Sequence, residues 1–160
     1  MSLFLRIIEV SEIEEILHFE KGKLKEQFVD ESEFVLQSWS AKWRKEALEN
    51  YLPKGWSFLA RDKNQKSEFS NEGALIGYFI AQPLLFFDGQ TQSLWVEHLQ
   101  YSTLQARDEL CDLAYRLCRE KHFQRVYFPN TQALSPTLKT MKATEWNSQV
   151  MLLKTSKSNL

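Results

Sequence analysis

The sequence is poor in glycine. Its 160 residues include five glycines, whereas an average usage of about 7% predicts about eleven. All five, namely Gly22, Gly55, Gly73, Gly77 and Gly89, lie in the first 89 positions. Glycine lets the backbone approach a phosphate group closely because it has no Cβ. Its absence after position 89 therefore excludes a glycine-rich phosphate loop from the later part of the chain.

Cysteine and histidine are also scarce. The two cysteines, Cys111 and Cys118, are seven positions apart in one predicted helix. That spacing separates their backbones by about 10 Å, which is too far for a disulfide, so we interpret both as small core residues. The histidines at positions 18, 98 and 122 are not spaced from a cysteine as metal ligands are. No metal site is predicted.

An excess of charge of one sign and long apolar runs are lacking as well. The chain has 20 basic and 21 acidic side chains and a net charge of -1, which argues against the clustered positive charge of nucleic-acid-binding domains. No stretch is long and apolar enough for a membrane span, and the opening segment lacks the sections of a secretory signal. We therefore expect a cytoplasmic protein that has neither a nucleic-acid nor a membrane partner.

The elements read along the chain predict one α+β domain over residues 1–155 and a flexible C-terminal tail at 156–160. The first half is predicted to contain a strand (3–10), a helix begun by a capping box of Ser11 and Glu14, a second helix (33–52) and two strands (56–62 and 74–82). A hairpin that turns at Asp88 and Gly89 follows. The second half is predicted to contain a long helix (103–121), a strand (125–128), a helix carrying Leu138 and Met141, and a strand (148–154).

Three segments carry a resemblance to a known family. They are ALIGYF at 74–79 with Gly77, SLWVEHLQY at 93–101 running into the long helix, and RVYFPN at 125–130 followed by Ala133. With the order of elements, they resemble the GNAT superfamily of acyl-coenzyme A N-acyltransferases over residues 3–155. The resemblance implies a GNAT-like mixed, largely antiparallel twisted sheet flanked by helices. It also implies acetyl-coenzyme A, or another acyl-coenzyme A, as donor, and a small-molecule or peptide amine as acceptor.

The family's pyrophosphate loop has the form Gln or Arg, two residues, Gly, one residue, Gly or Ala, between the fourth strand and its helix. With Gln105 in the first position, Asp108 and Leu110 stand at the glycine positions, so the loop is degenerate. An inward carboxylate of Asp108 or Glu109 would repel phosphate, whereas in a first helical turn both acids would stabilise the helix dipole. The resemblance implies that the cofactor is held by Leu99, Gln100, Tyr101, Gln105, Ala106, Arg107 and Asp108.

The resemblance also implies a base on the fourth strand that deprotonates the amine. Glu97 and His98 are the candidates, and because neighbouring strand residues point to opposite faces, we expect one of them to face the cleft. The thioester oxygen would be held by a backbone N–H near residues 99–101. The Tyr that commonly protonates the leaving thiolate is missing, since Met141 stands near its position. Ser135, Thr137 and Tyr127 are the hydroxyl-bearing alternatives.

The acceptor side is expected at the early helices and the hairpin, where Trp39, Trp43, Phe86 and Phe87 suggest an apolar pocket. At helical spacing, Trp39 and Trp43 also fit a core role, and the hairpin aromatics also fit a covered sheet edge or a homodimer surface. Two functions remain open at this point. One is N-acyltransfer; the other is a noncatalytic GNAT-like binding or dimerisation domain, which the missing glycines and the missing Tyr favour.

Overall fold

The computed structural model describes residues 3–27 and 30–155, so the tail predicted at 156–160 lies outside the described residues. The helices are α1 (Ile13–Gln27), α2 (Glu31–Trp39), α3 (Lys45–Tyr51), α4 (Leu104–Glu120) and α5 (Ser135–Thr140). The strands are β1 (Leu3–Ile7), β2 (Phe58–Asp62), β3 (Ala74–Phe87), β4 (Gln90–Tyr101), β5 (Arg125–Pro129), β6 (Thr144–Asn147) and β7 (Val150–Lys154).

These strands form one sheet in the order β1-β2-β3-β4-β5-β7-β6. The β4–β5 pair is parallel, and the other pairs are antiparallel. The hairpin turns at Asp88 and Gly89, both at positive φ, as the sequence predicts. The mixed, largely antiparallel α+β sheet flanked by helices is therefore confirmed.

Two hydrophobic layers cover the sheet. On one face, α4 and α5 pack through residues such as Leu110, Cys111 and Leu138 onto alternate residues of the central strands. On the other face, α1 and α3 pack through Ile16 and Leu48 onto β2 and β3. Both cysteines are free and buried, which confirms their assignment to the core.

Gly77 explains how closely α4 approaches the sheet. A Cβ at this position would lie 2.9 Å from Cδ1 of Leu110 and 3.1 Å from the carbonyl oxygen of Gln100. Both distances are shorter than ordinary van der Waals contact. Glycine at this point of β3 therefore lets α4 lie directly over β3 and β4, and this packing positions the first turn of α4.

The structure differs from the sequence predictions of the elements in several details. The single helix expected over 33–52 is divided into α2 and α3, and Trp43 between them is buried in the core while Trp39 is 71% exposed. The capping box is formed by Glu9 and Glu12, ahead of a short 3₁₀ turn, and not by Ser11 and Glu14. The edge strand β6 is exposed along its whole length, so no apolar alternation marked it in the sequence.

Candidate functional site

The central feature of the sheet is the point at which its two parallel strands separate. β4 and β5 pair at three positions, the last of which joins Trp95 to Tyr127. From Val96 to Tyr101, β4 continues with β3 on one edge and, among the described residues, no strand on the other. α4 follows β4, α5 follows β5, and both helices lie on the same face. The unpaired edge of β4 thus borders an opening in the sheet.

A bulge in β4 sits at this opening. Ile80 of β3 pairs with His98 and Ala81 pairs with Val96, so Glu97 is an extra residue on β4. The extra residue shifts the alternation of side chains beyond it. Glu97 and His98 consequently both contact the layer of α1 and α3, although neighbouring strand residues were expected on opposite faces. The sequence alone did not reveal the bulge.

The carboxylate of Glu97 is held through one of its oxygens. Oε2 accepts hydrogen bonds from the hydroxyl of Tyr51 at 3.0 Å and from the indole N–H of Trp95 at 2.9 Å. Burial, together with the neighbouring charge of Glu97, raises the pKa of Tyr51, so the phenol remains a donor. Oε1 lies 3.9 Å from Nζ of Lys42. The Glu97 side chain lines a cavity of about 370 Å³, together with residues of α3 and of the segment before it.

His98 belongs to a buried polar network and not to this cavity. Its Nε2 lies 2.5 Å from Oε2 of Glu20, which also accepts a hydrogen bond from the hydroxyl of Tyr78 at 2.5 Å. Nε2 of Gln100 donates to Oε1 of Glu20 at 3.2 Å. Burial and the charge of Glu20 raise the pKa of Tyr78 well above its usual value. The network fixes α1 against β3 and β4.

The open edge of β4 carries backbone donors. Since the N–H of Ser102 donates to Ile76 on the β3 side, the alternating N–H groups of Leu99 and Tyr101 face the opening. The N–H of Tyr101 donates to the side-chain oxygen of the preceding Gln100 at 3.1 Å. The N–H of Leu99 is therefore the better placed donor for a thioester oxygen.

α4 begins with an ordinary cap. Thr103 is the N-cap residue, and its hydroxyl accepts a hydrogen bond from the N–H of Ala106 at 3.1 Å. The N–H groups of Leu104 and Gln105 have no intrahelical acceptor, because the first residues of a helix never do. They are the donors that a phosphate could meet at this helix terminus.

Asp108 and Arg107 connect α4 to the region that follows β5. Asp108 lies beyond the first turn of α4, which contains no acidic residue, so the expected stabilisation of the helix dipole does not apply. Its Oδ1 accepts hydrogen bonds from the hydroxyl of Thr137 at 2.5 Å and from Nε of Arg107 at 2.9 Å. Partial burial raises the pKa of Asp108, but these hydrogen bonds outweigh it, and the pKa is lowered from its usual value. Arg107 also donates to the carbonyl of Ala133 at 3.3 Å.

The hydroxyl-bearing alternatives for the missing Tyr differ in their surroundings. Thr137 is buried and directs its hydroxyl at Asp108. Tyr127 is fully buried, and its hydroxyl accepts a hydrogen bond from Arg125 at 3.2 Å. Neither hydroxyl points to the opening beside Glu97.

The apolar acceptor pocket expected from four aromatic residues does not form. Trp39 and Phe86 are exposed, Trp43 is buried, and Phe87 packs in an aromatic cluster with Trp95, Tyr127 and Trp146. The cavity beside Glu97 is instead lined mainly by polar and charged side chains: Ser40, Lys42, Arg44, Glu46, Ala47, Asn50 and Tyr51. Sequence reasoning missed these residues. Strand alternation would have placed Trp95 near Glu97, but no local signal marks Lys42 or Tyr51.

Neither a metal centre nor a membrane span is found in the part of the chain that the structure describes. Across residues 3–27 and 30–155, no three His, Cys, Asp or Glu side chains are grouped so that they could hold a metal ion. None of the helices in these ranges has the length and apolar composition needed to cross a bilayer.

Comparison with known proteins gives matches among solved structures. No protein-family model matches the chain, and no curated protein matches it. The structure is similar to the Drosophila melanogaster polyamine N-acetyltransferase that forms N-acetylagmatine, with 11% identity, a TM-score of 0.63 and coverage of 96% of this chain and 100% of the other. It is also similar to the PaiA N-acetyltransferase of Thermoplasma acidophilum in complex with coenzyme A, with 13% identity, a TM-score of 0.64 and coverage of 96% of this chain and 99% of the other. A GNAT-family acetyltransferase of Listeria monocytogenes matches with 13% identity, a TM-score of 0.59 and coverage of 95% of this chain and 94% of the other.

Proposed function

The chain has the GNAT acetyltransferase fold, and on that premise we propose that it is an acyl-coenzyme A-dependent N-acyltransferase that moves an acetyl group to an amine. The observation that carries the proposal is the position of Glu97. Glu97 lies at the bulge, in the part of β4 beyond its pairing with β5; its Oε2 is fixed by Tyr51 and Trp95, and its side chain lines a cavity.

The site fits the thioester end of such a donor better than its phosphate end. The open edge of β4 offers the N–H of Leu99 to a thioester oxygen, and the start of α4 offers the N–H groups of Leu104 and Gln105 to a phosphate. Against this, Asp108 carries a negative charge in the fifth position of α4, and no glycine opens this turn. We therefore expect the chain to bind acetyl-coenzyme A weakly.

In the proposed reaction, the acyl-coenzyme A supplies the acetyl group as a thioester. The amine nitrogen attacks the thioester carbon, the carbon–sulfur bond breaks, and the sulfur leaves with its electron pair. Oε1 of Glu97 accepts the proton that the amine loses, while the N–H of Leu99 stabilises the negative charge that develops on the carbonyl oxygen. Tyr51 and Trp95 hold the carboxylate in place during this transfer. His98 is a positioning residue in this scheme, because its ring nitrogen contacts Glu20.

The experiment titrates the purified protein with acetyl-coenzyme A by calorimetry and then measures acetylation of a panel of amines. We expect measurable binding and a loss of turnover of about 100-fold or more in Glu97→Gln. The matched control is Glu49→Gln, which makes the same change at an exposed position of α3. Absence of binding at millimolar acetyl-coenzyme A would overturn the proposal for this donor. Unchanged turnover in Glu97→Gln would remove Glu97 from the mechanism.

A noncatalytic role is the second candidate, and a specific observation favours it. Arg107 donates to the carbonyl of Ala133 and Asp108 accepts from Thr137, so both side chains of the degenerate loop already have partners within the chain. Such a domain would bind a ligand or dimerise through the hairpin, where Leu85 and Phe86 are 63% and 79% exposed. A protein that binds no acyl-coenzyme A but forms a dimer, which Phe86→Ser dissociates in analytical ultracentrifugation, would support this candidate.

A further inference from the structure

The cavity beside Glu97 contains charged side chains of both signs. Lys42 and Arg44 contribute two positive charges, and Glu46 and Glu97 contribute two negative charges. Nζ of Lys42 lies 3.9 Å from Oε1 of Glu97, and Nε of Arg44 lies 3.8 Å from Oε2 of Glu46. The four formal charges sum to zero. A cavity of this kind suits a ligand that is itself neutral overall but carries both charges.

The fold holds the two cationic residues at this cavity. They flank Trp43 in the segment between α2 and α3, and Trp43 is buried in the core formed with α1 and α3. The burial of Trp43 anchors the segment, so the backbones of Lys42 and Arg44 are fixed at the cavity wall. Their side chains remain 56% and 51% exposed. They can therefore turn towards a ligand without disrupting the core.

The ion pair between Lys42 and Glu97 favours a zwitterionic acceptor over a diamine or polyamine. At 3.9 Å the ion pair is loose, and a ligand with an ammonium group and a carboxylate can replace it by binding one charge to each residue. An α-amino acid carries these groups about 3 Å apart, so one molecule can reach both side chains. A diamine or polyamine would place further positive charge against Lys42 and Arg44, which is repulsive.

We propose that the acceptor is a zwitterionic amine, an α-amino acid or a compound of the same charge pattern, whose carboxylate binds Lys42 with support from Arg44 and whose amine faces Oε1 of Glu97. The inference rests on the proposed function, because it names the substrate class of the same site. Lys42 is the specificity-determining residue. The ammonium group releases one proton to solvent before attack, and Glu97 accepts the second proton as the carbon–nitrogen bond forms.

The test uses pairs of compounds that differ only by the α-carboxylate and whose amino acid is neutral overall: alanine and ethylamine, leucine and 3-methylbutylamine, phenylalanine and phenethylamine. Binding of each compound to the full chain is measured by calorimetry without an acyl donor, and kcat/KM is measured with acetyl-coenzyme A. We expect each amino acid to bind at least 10-fold more tightly than its decarboxylated partner. Lys42→Glu is expected to abolish or reverse this preference. Lys45→Glu, which makes the same charge change at an exposed residue that does not line the cavity, is expected to retain it.

The two proposals fail in distinguishable ways. Absence of acetyl transfer to every amine, with the binding preference intact and lost in Lys42→Glu, contradicts the acyltransferase and supports the zwitterion site. Transfer or binding that favours the decarboxylated amines, or that favours neither class, overturns the zwitterion site alone. Absence of binding by all six compounds overturns it as well. A preference that survives Lys42→Glu removes Lys42 from the recognition of the carboxylate.

Discussion

Oε2 of Glu20 lies 2.5 Å from Nε2 of His98, although 78 positions separate the two residues. Glu20 is on α1 and is 1% exposed, and the same carboxylate also binds Tyr78 and Gln100. The contact joins the first long helix to β4 at the residue that follows the bulge. The placement of Glu97 thus depends on a polar network buried beside it.

We predict that Glu20→Gln destabilises the protein. The amide cannot accept all of the hydrogen bonds that the carboxylate accepts, and a buried donor left without a partner costs about 1–3 kcal/mol. The measurement is the free energy of unfolding from urea denaturation. Glu26→Gln on the exposed side of the same helix is the control and should change it by less than about 0.5 kcal/mol. Equal effects of the two substitutions would contradict the role assigned to Glu20.

The sequence indicated part of this site and missed the rest for identifiable reasons. Helical spacing places Glu20 on the same side of α1 as Ile13, Ile16 and Leu17, but its partners on β3 and β4 depend on how the helix docks. Alternation along β4 placed Glu97 and His98 on opposite faces, and one unpaired residue in the strand reversed that conclusion. A bulge leaves no composition signal, because it depends on the register with β3.

The order of the elements was predictable because each carries its own periodicity and turn signals. The turn at Asp88 and Gly89, the stripe on α4 and the strand around Gly77 are local features. The break between α2 and α3 was not predictable, because Trp39 and Trp43 are spaced as neighbours on one helical face. Packing against α1 and α3 decides that only Trp43 is buried.

A pair of substitutions tests this division of the two tryptophans. Trp43→Ala removes a large side chain from the core and is expected to lower the free energy of unfolding by about 3–5 kcal/mol. Trp39→Ala removes a side chain that is 71% exposed and is expected to change it by about 0.5 kcal/mol or less. Chemical denaturation followed by circular dichroism measures both. A large loss in Trp39→Ala would show that α2 packs through this residue.

Two glycines should respond to alanine in opposite directions. At Gly73, φ is +115° and a Cβ would lie 2.3 Å from the carbonyl oxygen of Asp62, so Gly73→Ala is expected to destabilise by about 3 kcal/mol. Gly22 is inside α1 with nothing within 4 Å of a Cβ, so Gly22→Ala is expected to stabilise by about 0.5–1 kcal/mol. Thermal unfolding measures both shifts. A change of the same sign in the two variants would contradict this reading of their surroundings.

The ion pairs around Glu12 predict a dependence of stability on pH. Partial burial alone would raise the pKa of Glu12. Hydrogen bonds from Arg6, the Glu9 backbone and Arg61 outweigh it and lower the pKa to about 2. Because the folded pKa is below the unfolded value of about 4.3, the stabilisation is complete above about pH 5 and is lost as the pH falls towards 2. Its size is on the order of 3 kcal/mol at neutral pH.

The measurement is the difference in unfolding free energy between the natural chain and Glu12→Gln, followed from pH 7 to pH 3. We expect the difference to be constant down to about pH 5 and then to shrink. Glu14→Gln, which makes the same change at an exposed neighbouring position, should give a difference close to zero throughout. A difference for Glu12→Gln that stays constant down to pH 3 would contradict the lowered pKa.

Removing the charge of Asp108 should strengthen binding of acetyl-coenzyme A. In Asp108→Asn the amide oxygen can still accept the hydrogen bond from Thr137, while the repulsion of a phosphate is lost. One pair of unit charges at 4 Å in water is worth about 1 kcal/mol, so Kd should fall about fivefold at low salt and less at high salt. Asp112→Asn, one turn further along α4 and paired with Arg116, is the control and should leave Kd unchanged. An unchanged Kd in Asp108→Asn at low salt would mean that the missing glycines alone account for weak binding.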